Sequence, residues 1–176
     1  MIDVVIKAGG ATLGLDSSML ASLGRYGRAL IVPGGGPFAD AVRAVDAQYH
    51  IGDDAAHWAA VLAMDQFAYA LAALAHARVI TDPTEGVSGE LSILAPYQWL
   101  RQTDPLPHSW DVTSDSIAAW VAHAIGVKRL LLVKPVDRAD DLVDRYFDCV
   151  RGDLDVRILA VTALATPPAW HNLSRL

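Results

Sequence analysis

The sequence predicts an α/β fold: a mostly parallel sheet with helices on both faces, in three αβα layers. Two observations carry that prediction. Apolar stretches of strand length alternate along the chain with longer segments of helical periodicity, the pattern of sheets built from crossover units. Hydrophobic residues make up 53% of the chain and charged ones 19%, which suits strands buried on both sides. A length of 176 residues allows one substantial core and is short for two, so a single domain over residues 1–176 is expected.

Asp3–Lys7 reads as the first strand and runs straight into Gly9-Gly10. Asp16 can cap a helix over Ser17–Arg25, which Gly27 ends. Ala29–Val32 is the second strand, followed by Pro33-Gly34-Gly35-Gly36-Pro37. Helices are expected over Phe38–Tyr49 and Asp53–Ala75, the latter with Ala63, Phe67, Ala70, Leu71 and Leu74 on one face. Short strands at Arg78–Ile80 and Leu91–Leu94 flank a loop rich in turn residues. Ser114 or Asp115 starts a helix ending near Gly126, with a stripe of Ile117, Trp120, Val121 and Ala124. Arg129–Val133, Asp141–Val150 and Val156–Val161 complete the pattern as strand, helix and strand.

A net charge of −6 argues against broad electrostatic capture of nucleic acid. An anionic substrate must then be held by locally placed cations and backbone amides. The lone cysteine, Cys149, sits in an apolar segment with no paired base in view; it is expected in the core, and the chain in a reducing compartment. Met1-Ile2-Asp3-Val4 lacks the start of a signal peptide, and the apolar segment Ala55–Ala75 is interrupted by His57, Asp65 and Gln66. The expectation is a cytoplasmic protein without a membrane span. The six histidines show no zinc-binding spacing, so no metal-ligating residue is assigned. His57 and Asp65 share a helix face and are within reach of a substrate amine, though a solvated helix surface is the plainer reading.

Three segments carry the candidate chemistry. Lys7 stands at a strand's carboxyl end just before Gly9 and Gly10, where open α/β sheets bind ligands. Glycines let the backbone turn and bring its N–H groups against an anion. Gly34, Gly35 and Gly36 lie between a buried strand and a helix start, a ready site for phosphate, and Arg43 follows one to two turns later. Neither run matches the GxxxxGK[ST] or GxGxxG pattern. Finally, Asp111, Thr113, Ser114, Asp115 and Ser116 gather hydroxyls and carboxylates ahead of an apolar helix. Capping explains Ser114 or Asp115 but not the whole group. Of three lysines, Lys7, Lys128 and Lys134, two fall at predicted strand carboxyl ends, Lys7 and Lys134.

These segments, in this order, resemble the amino acid kinase family. Lys7-Ala8-Gly9-Gly10 is similar to its strand-end lysine and glycines, Gly34-Gly35-Gly36 to its acceptor loop, and Asp115 to its aspartate ahead of a helix. His108-Ser109-Trp110, Thr113-Ser114-Asp115-Ser116, Pro33-Gly34-Gly35-Gly36 with Phe38-Ala39 and Val42-Arg43, Ala56-His57 and Met64-Asp65 on the long helix, and Val143-Asp144 with Phe147 resemble the aminomethylfuran phosphate kinase branch, which serves methanofuran-type one-carbon cofactors. The resemblance implies ATP and Mg²⁺ as cofactors and a small phosphorylated metabolite as partner. By it, Lys7 stabilises the phosphoryl group in flight, and Gly9, Gly10, Gly34 and Gly35 hold the phosphate ends. Asp115 orients the lysine, with Arg43 and Asp111 near the acceptor.

Family members continue after the strand resembling Arg129–Val133 with a threonine-aspartate-valine-aspartate-glycine stretch and loops around the adenine. Here Lys134-Pro135-Val136-Asp137 passes within a few residues into a helix. Two expectations stay open: a kinase with a shortened nucleotide half in which Lys134 takes a second catalytic lysine's place, or a phosphometabolite-binding protein that has lost ATP. The long apolar helix Asp53–Ala75 has more apolar surface than one domain of this size covers, and a homodimer through it is expected.

Overall fold

The computed structural model describes residues 1–85, 89, 91–135 and 142–176. Seven strands form one sheet: β1 (Val4–Ala8), β2 (Ala29–Pro33), β3 (Arg78–Ile80), β4 (Leu91–Leu94), β5 (Arg129–Lys134), β6 (Asp155–Ala160) and β7 (Ser174–Arg175). Their order is β3-β4-β2-β1-β5-β6-β7, and every pair is parallel except β6 with β7. The helices are α1 (Ser17–Ala21), α2 (Gly36–Tyr49), α3 (Asp53–Ala75), α4 (Tyr97–Thr103), α5 (Ser114–Ala124) and α6 (Phe147–Arg151).

Alternation along the strands builds two apolar layers. Val5, Leu30, Val32, Leu130 and Leu132 face α5, Trp99 and Leu100. Val4, Ile6, Ala8, Ile31, Leu131 and Val133 face the other way, against Leu20, Leu23, Phe67 and Leu71. The long helix α3 feeds both layers, with Trp58, Val61 and Met64 in the first and Phe67, Ala68 and Leu71 in the second. By length and composition α3 is apolar enough to cross a membrane, with a mean hydropathy of 1.4 over its most apolar window. Here it packs along α2, β2 and β4.

Some local expectations change. The predicted helix Ser17–Arg25 splits into α1 and a 3₁₀ turn over Ser22–Tyr26, although Asp16 does cap it by accepting from the Met19 amide at 2.9 Å. On α3, Leu74 points outward at 41% exposure, and Val61, Met64 and Ala68 take the buried positions instead. On α5, Ala118 and Ala122 pack inward where Trp120 and Ala124 were expected, because α5 lies between the sheet and α6. Cys149 is exposed rather than core, on the outer side of α6. The predicted helix Asp141–Val150 begins, and the segment after Pro135 runs, outside the described residues; α6 itself starts at Phe147.

Two elements had no expectation. One is α4, whose first amide, Tyr97 N–H, donates to the Asp65 carboxylate of α3 at 2.9 Å. Burial raises the Asp65 pKa, and that hydrogen bond acts against it. Asp65 is therefore a helix cap, and it lines neither of the two cavities described below. The other is β7, a two-residue edge strand that pairs with Arg157 and Ile158.

Candidate active site: two lysines, one aspartate and two touching glycine turns

Strand parity places the site's charges. Lys7 shares the face of Val5, and Lys134 shares that of Leu130 and Leu132, so both side chains point toward α5. Because β1 and β5 are neighbours, with Lys7 opposite Leu132, the two ammonium groups converge one pleat apart. Asp115, in the first turn of α5, meets both. Its Oδ1 lies 3.2 Å from Lys7 Nζ. Lys134 Nζ donates to Oδ1 at 2.9 Å and to Oδ2 at 2.8 Å. The side chains of Lys7, Asp115 and Lys134 are only 10%, 6% and 8% exposed. Burial, and then the positive charge of Lys7, lower the Lys134 pKa, and Asp115 opposes that shift. With both lysines protonated, the cluster carries a net charge of +1 in a poorly solvated setting, and a bound anion would balance it.

The anion's cradle lies directly over this cluster. The Gly34 amide donates to the Ala8 carbonyl at 2.7 Å, tying the second glycine turn to the first. The turns touch so closely that a Cβ on Gly34 would lie 3.3 Å from Gly9 Cα and 3.2 Å from Ser114 Oγ. A Cβ on Gly9 would sit 3.0 Å from Lys7 Nζ. Gly36 opens α2 with φ +51°, and Phe67 closes off the space a side chain there would need. An open cavity of about 450 Å³ results, lined by Lys7, Gly9, Gly10, Gly34, Gly35, Gly36, Arg43, Thr113 and Ser114. Helices α2 and α5 both aim their amino ends toward these residues, so amide dipoles add to the positive potential.

A second, narrower cavity of about 60 Å³ adjoins the first and shares Gly35, Ala39, Arg43, Thr113 and Ser114 with it. It exceeds the ~10–15 Å³ that one water needs. Its remaining wall is mostly apolar: Ala56, Ala60, Val61, Met64, Val112 and Ile117, with Asp53, His57, Ser109 and Trp110. Trp110 is held by α2 from two sides. Its Nε1 donates to Asp46 at 2.8 Å, and the Arg43 guanidinium lies 5.0 Å from its ring centroid. Arg43 also pairs with Asp40 at 2.9 Å and lines both cavities.

Most of the sequence-derived candidates meet here. Lys7, Gly9, Gly10, Gly34, Gly35, Gly36, Arg43, Thr113 and Ser114 line the phosphate cavity, with Asp115 and Lys134 packed behind Lys7. Asp111 does not join them. It is exposed, pairs with Arg145 at 3.4 Å, and contributes to neither cavity wall.

Sequence reasoning missed the part played by Asp144. Its carboxylate accepts from the Thr113 amide at 2.9 Å, the Thr113 hydroxyl at 2.8 Å and the Ser116 amide at 3.0 Å, and also from the Ser116 hydroxyl. Thr113 holds the cap position of α5 but gives its hydroxyl to Asp144, so the cap comes from 31 residues away. The signal was Thr113 and Ser116 flanking Asp115, a pair of donors awaiting an acceptor. Asp144→Ala is expected to lower unfolding stability by about 2 kcal/mol, at the upper end for a lost cap, because five donors, the Tyr146 amide at 3.2 Å included, lose one partner. Urea denaturation checks it; a change below ~0.5 kcal/mol would show that water replaces the carboxylate fully.

Among the described residues no group of three or more His, Cys, Asp or Glu is placed to hold a metal. Both oxygens of Asp115 are engaged by lysine, so the residues fit a phosphate better than a dedicated Mg²⁺ site. Any Mg²⁺ would arrive on nucleotide phosphates and their waters.

The profile of the Amino acid kinase family matches residues 4–141. This chain belongs to that family. A curated relative, [5-(aminomethyl)furan-3-yl]methyl phosphate kinase of Methanocaldococcus jannaschii, is 28% identical over 142 residues, covering 76% of this chain and 66% of the relative. The matched part is thus just under two thirds of that enzyme's length. Among solved structures, uridylate kinase from Archaeoglobus fulgidus superposes with a TM-score of 0.65 at 13% identity, over 94% of this chain and 96% of the other. UMP kinase from Ureaplasma parvum gives 0.63 at 17% identity, over 90% and 89%. At such identities these neighbours establish the amino acid kinase fold.

Proposed function

We propose that this protein transfers a phosphoryl group from ATP to a small acceptor that already carries a phosphate, of the aminomethylfuran phosphate kind. The observation that carries this reading is the buried Lys7–Asp115–Lys134 cluster beneath two touching glycine turns. An acceptor phosphate oxygen attacks the γ-phosphorus of ATP. The bond to the β-phosphate's bridging oxygen breaks, and its electron pair stays on the departing ADP. The acceptor monophosphate becomes a diphosphate, and no covalent enzyme intermediate is needed. Lys7 and the glycine amides stabilise the charge spread over the phosphoryl oxygens, while Asp115 fixes Lys7 and Lys134 in place. The adjoining apolar cavity takes the acceptor's ring.

A second reading, a phosphometabolite-binding protein without ATP turnover, is favoured by the match's covering only 66% of the relative. Isothermal titration with Mg-ATP, alone and then with an aminomethylfuran phosphate, separates the two. ATP binding followed by ADP release supports the kinase. Binding of the phosphorylated furan with no ATP affinity supports the second reading and rejects the first.

A homodimer fits the outer faces of α2 and α3. Val45, Tyr49, Leu62, Tyr69 and Leu74 are 44%, 65%, 44%, 61% and 41% exposed on two adjacent helices. Light scattering at micromolar concentration is expected to give twice the chain mass; a monomer rejects the dimer.

A further inference from the structure

His57 lines the part of the apolar cavity that is not shared with the phosphate site, and His108 packs against His57. His57, in the second turn of α3, lines the wall beside Asp53. Its ring stacks on His108 with centroids 4.1 Å apart and planes 15° apart, and meets Trp58 edge-on at 4.8 Å. His108 is pinned by two carboxylates: its Nδ1 lies 2.7 Å from Asp54, and its Nε2 lies 2.8 Å from Asp104. Ionised carboxylates only accept, so each ring nitrogen of His108 carries a proton and the ring is a cation. The nitrogens of His57, by contrast, find no hydrogen-bond partner among the described side chains, in a wall otherwise made largely of Ala, Val, Met and Ile.

We infer that His57 reads the amine of the acceptor, with the Asp53 carboxylate beside it, and that His108 is a positioning residue that keeps His57 an uncharged hydrogen-bond acceptor. This rests on the acceptor reading above and adds which end of the acceptor is recognised. An ammonium group donates and cannot accept, so it needs a ring nitrogen with a free lone pair; an imidazolium would offer none and would repel it. Burial, and then the positive charge of His108, hold His57 down at about 4, with Asp104 and Asp54 pulling the other way. For His108, burial acts downward, but the hydrogen bonds to Asp104 and Asp54 prevail and raise it. Facing the pair are Asp54 and Trp58 from α3 and Asp104 from the end of α4, while Arg101 of α4 lies over Trp58 at 4.4 Å. His57 and Met64 line the same apolar cavity two turns apart on α3, and that cavity meets the phosphate site at Gly35, Ala39, Arg43, Thr113 and Ser114.

The test titrates the full chain at neutral pH with an aminomethylfuran phosphate and with the same compound bearing a methyl group in place of the aminomethyl. The wild type is expected to bind the amine at least about 10-fold more tightly, as befits a hydrogen bond to a charged group. His57→Phe keeps an aromatic ring but has no nitrogen to accept a hydrogen bond, and should level the two affinities. Equal binding of both compounds by the wild type, or an undiminished preference in His57→Phe, overturns the inference alone. Binding of neither overturns the proposed function and the inference with it. His108→Phe removes the cation but keeps a ring to stack on His57, so a shift in the titration of His57 reports lost charge rather than lost burial. With the cation gone and Asp54 and Asp104 still present, the NMR midpoint of His57 should rise from about 4 toward the ordinary 6.5. As pH falls through that midpoint the ring gains a proton and repels the amine, so the preference should vanish at a higher pH than in the wild type. An unmoved midpoint removes His108 from the role.

Discussion

Asp115→Ala is expected to cost about 3–5 kcal/mol of unfolding free energy, the range for breaking a buried ion pair from one side. The reason is specific to this cluster: one carboxylate serves two ammonium groups whose side chains are 10% and 8% exposed, so its removal leaves two like charges facing each other without compensation. Urea denaturation measures the loss. Two further observations should accompany it. Inorganic phosphate should restabilise the variant more than the wild type, since an anion in the cradle replaces part of the missing charge. The double variant Asp115→Ala/Lys134→Met should recover part of the loss, because one of the opposed charges is gone. A double variant no more stable than Asp115→Ala would show that the cost comes from packing, and the electrostatic account of the cluster would fail.

Lys7→Met is expected to lower turnover by about 10³-fold or more, the scale seen when a cation or donor aimed at a transferring or developing anionic group is removed. Folding should survive. Lys7 is buried, but Met has similar length and no charge, and its introduction relieves the repulsion that helps to lower the Lys134 pKa. The melting temperature should therefore hold or rise while activity collapses, and Lys134 should titrate closer to its ordinary value. Steady-state kinetics and a thermal melt on the same sample check both halves. Turnover within tenfold of the wild type would take Lys7 out of the chemistry; a collapsed melt would mean that its charge is needed for the fold.

Much of this site was legible in the chain, and particular residues show why. The glycine runs were visible because three adjacent residues without Cβ serve no packing purpose, and the folded chain uses that lack of Cβ where Gly34 approaches Gly9. Lys7 was visible as a charge at the end of an apolar strand. α4 went unread although Pro96 leads into it and Asp104-Pro105 follows it; its first amide is capped by Asp65, 32 residues earlier, which no local pattern announces. Asp111 and Asp115 were both site candidates in the sequence, with Asp111 placed near the acceptor, yet four residues along the chain separate an exposed carboxylate from a buried one, because only Asp115 lies in the first turn of α5 over the sheet.

The chain by itself determined which face each strand residue occupies. Alternation puts Lys7 with Val5, and Lys134 with Leu132, whatever the neighbours of β1 and β5 turn out to be. Tertiary structure alone decided that β1 lies between β2 and β5, so that residues 127 positions apart share one carboxylate. It likewise decided that Asp144 caps α5 from a separate segment, and that His108 stacks on His57. The physical reason is one of range. Periodicity and turn chemistry act over a few residues, whereas strand order, a remote cap and a shared counter-ion are set by which layers pack together once their apolar faces leave water.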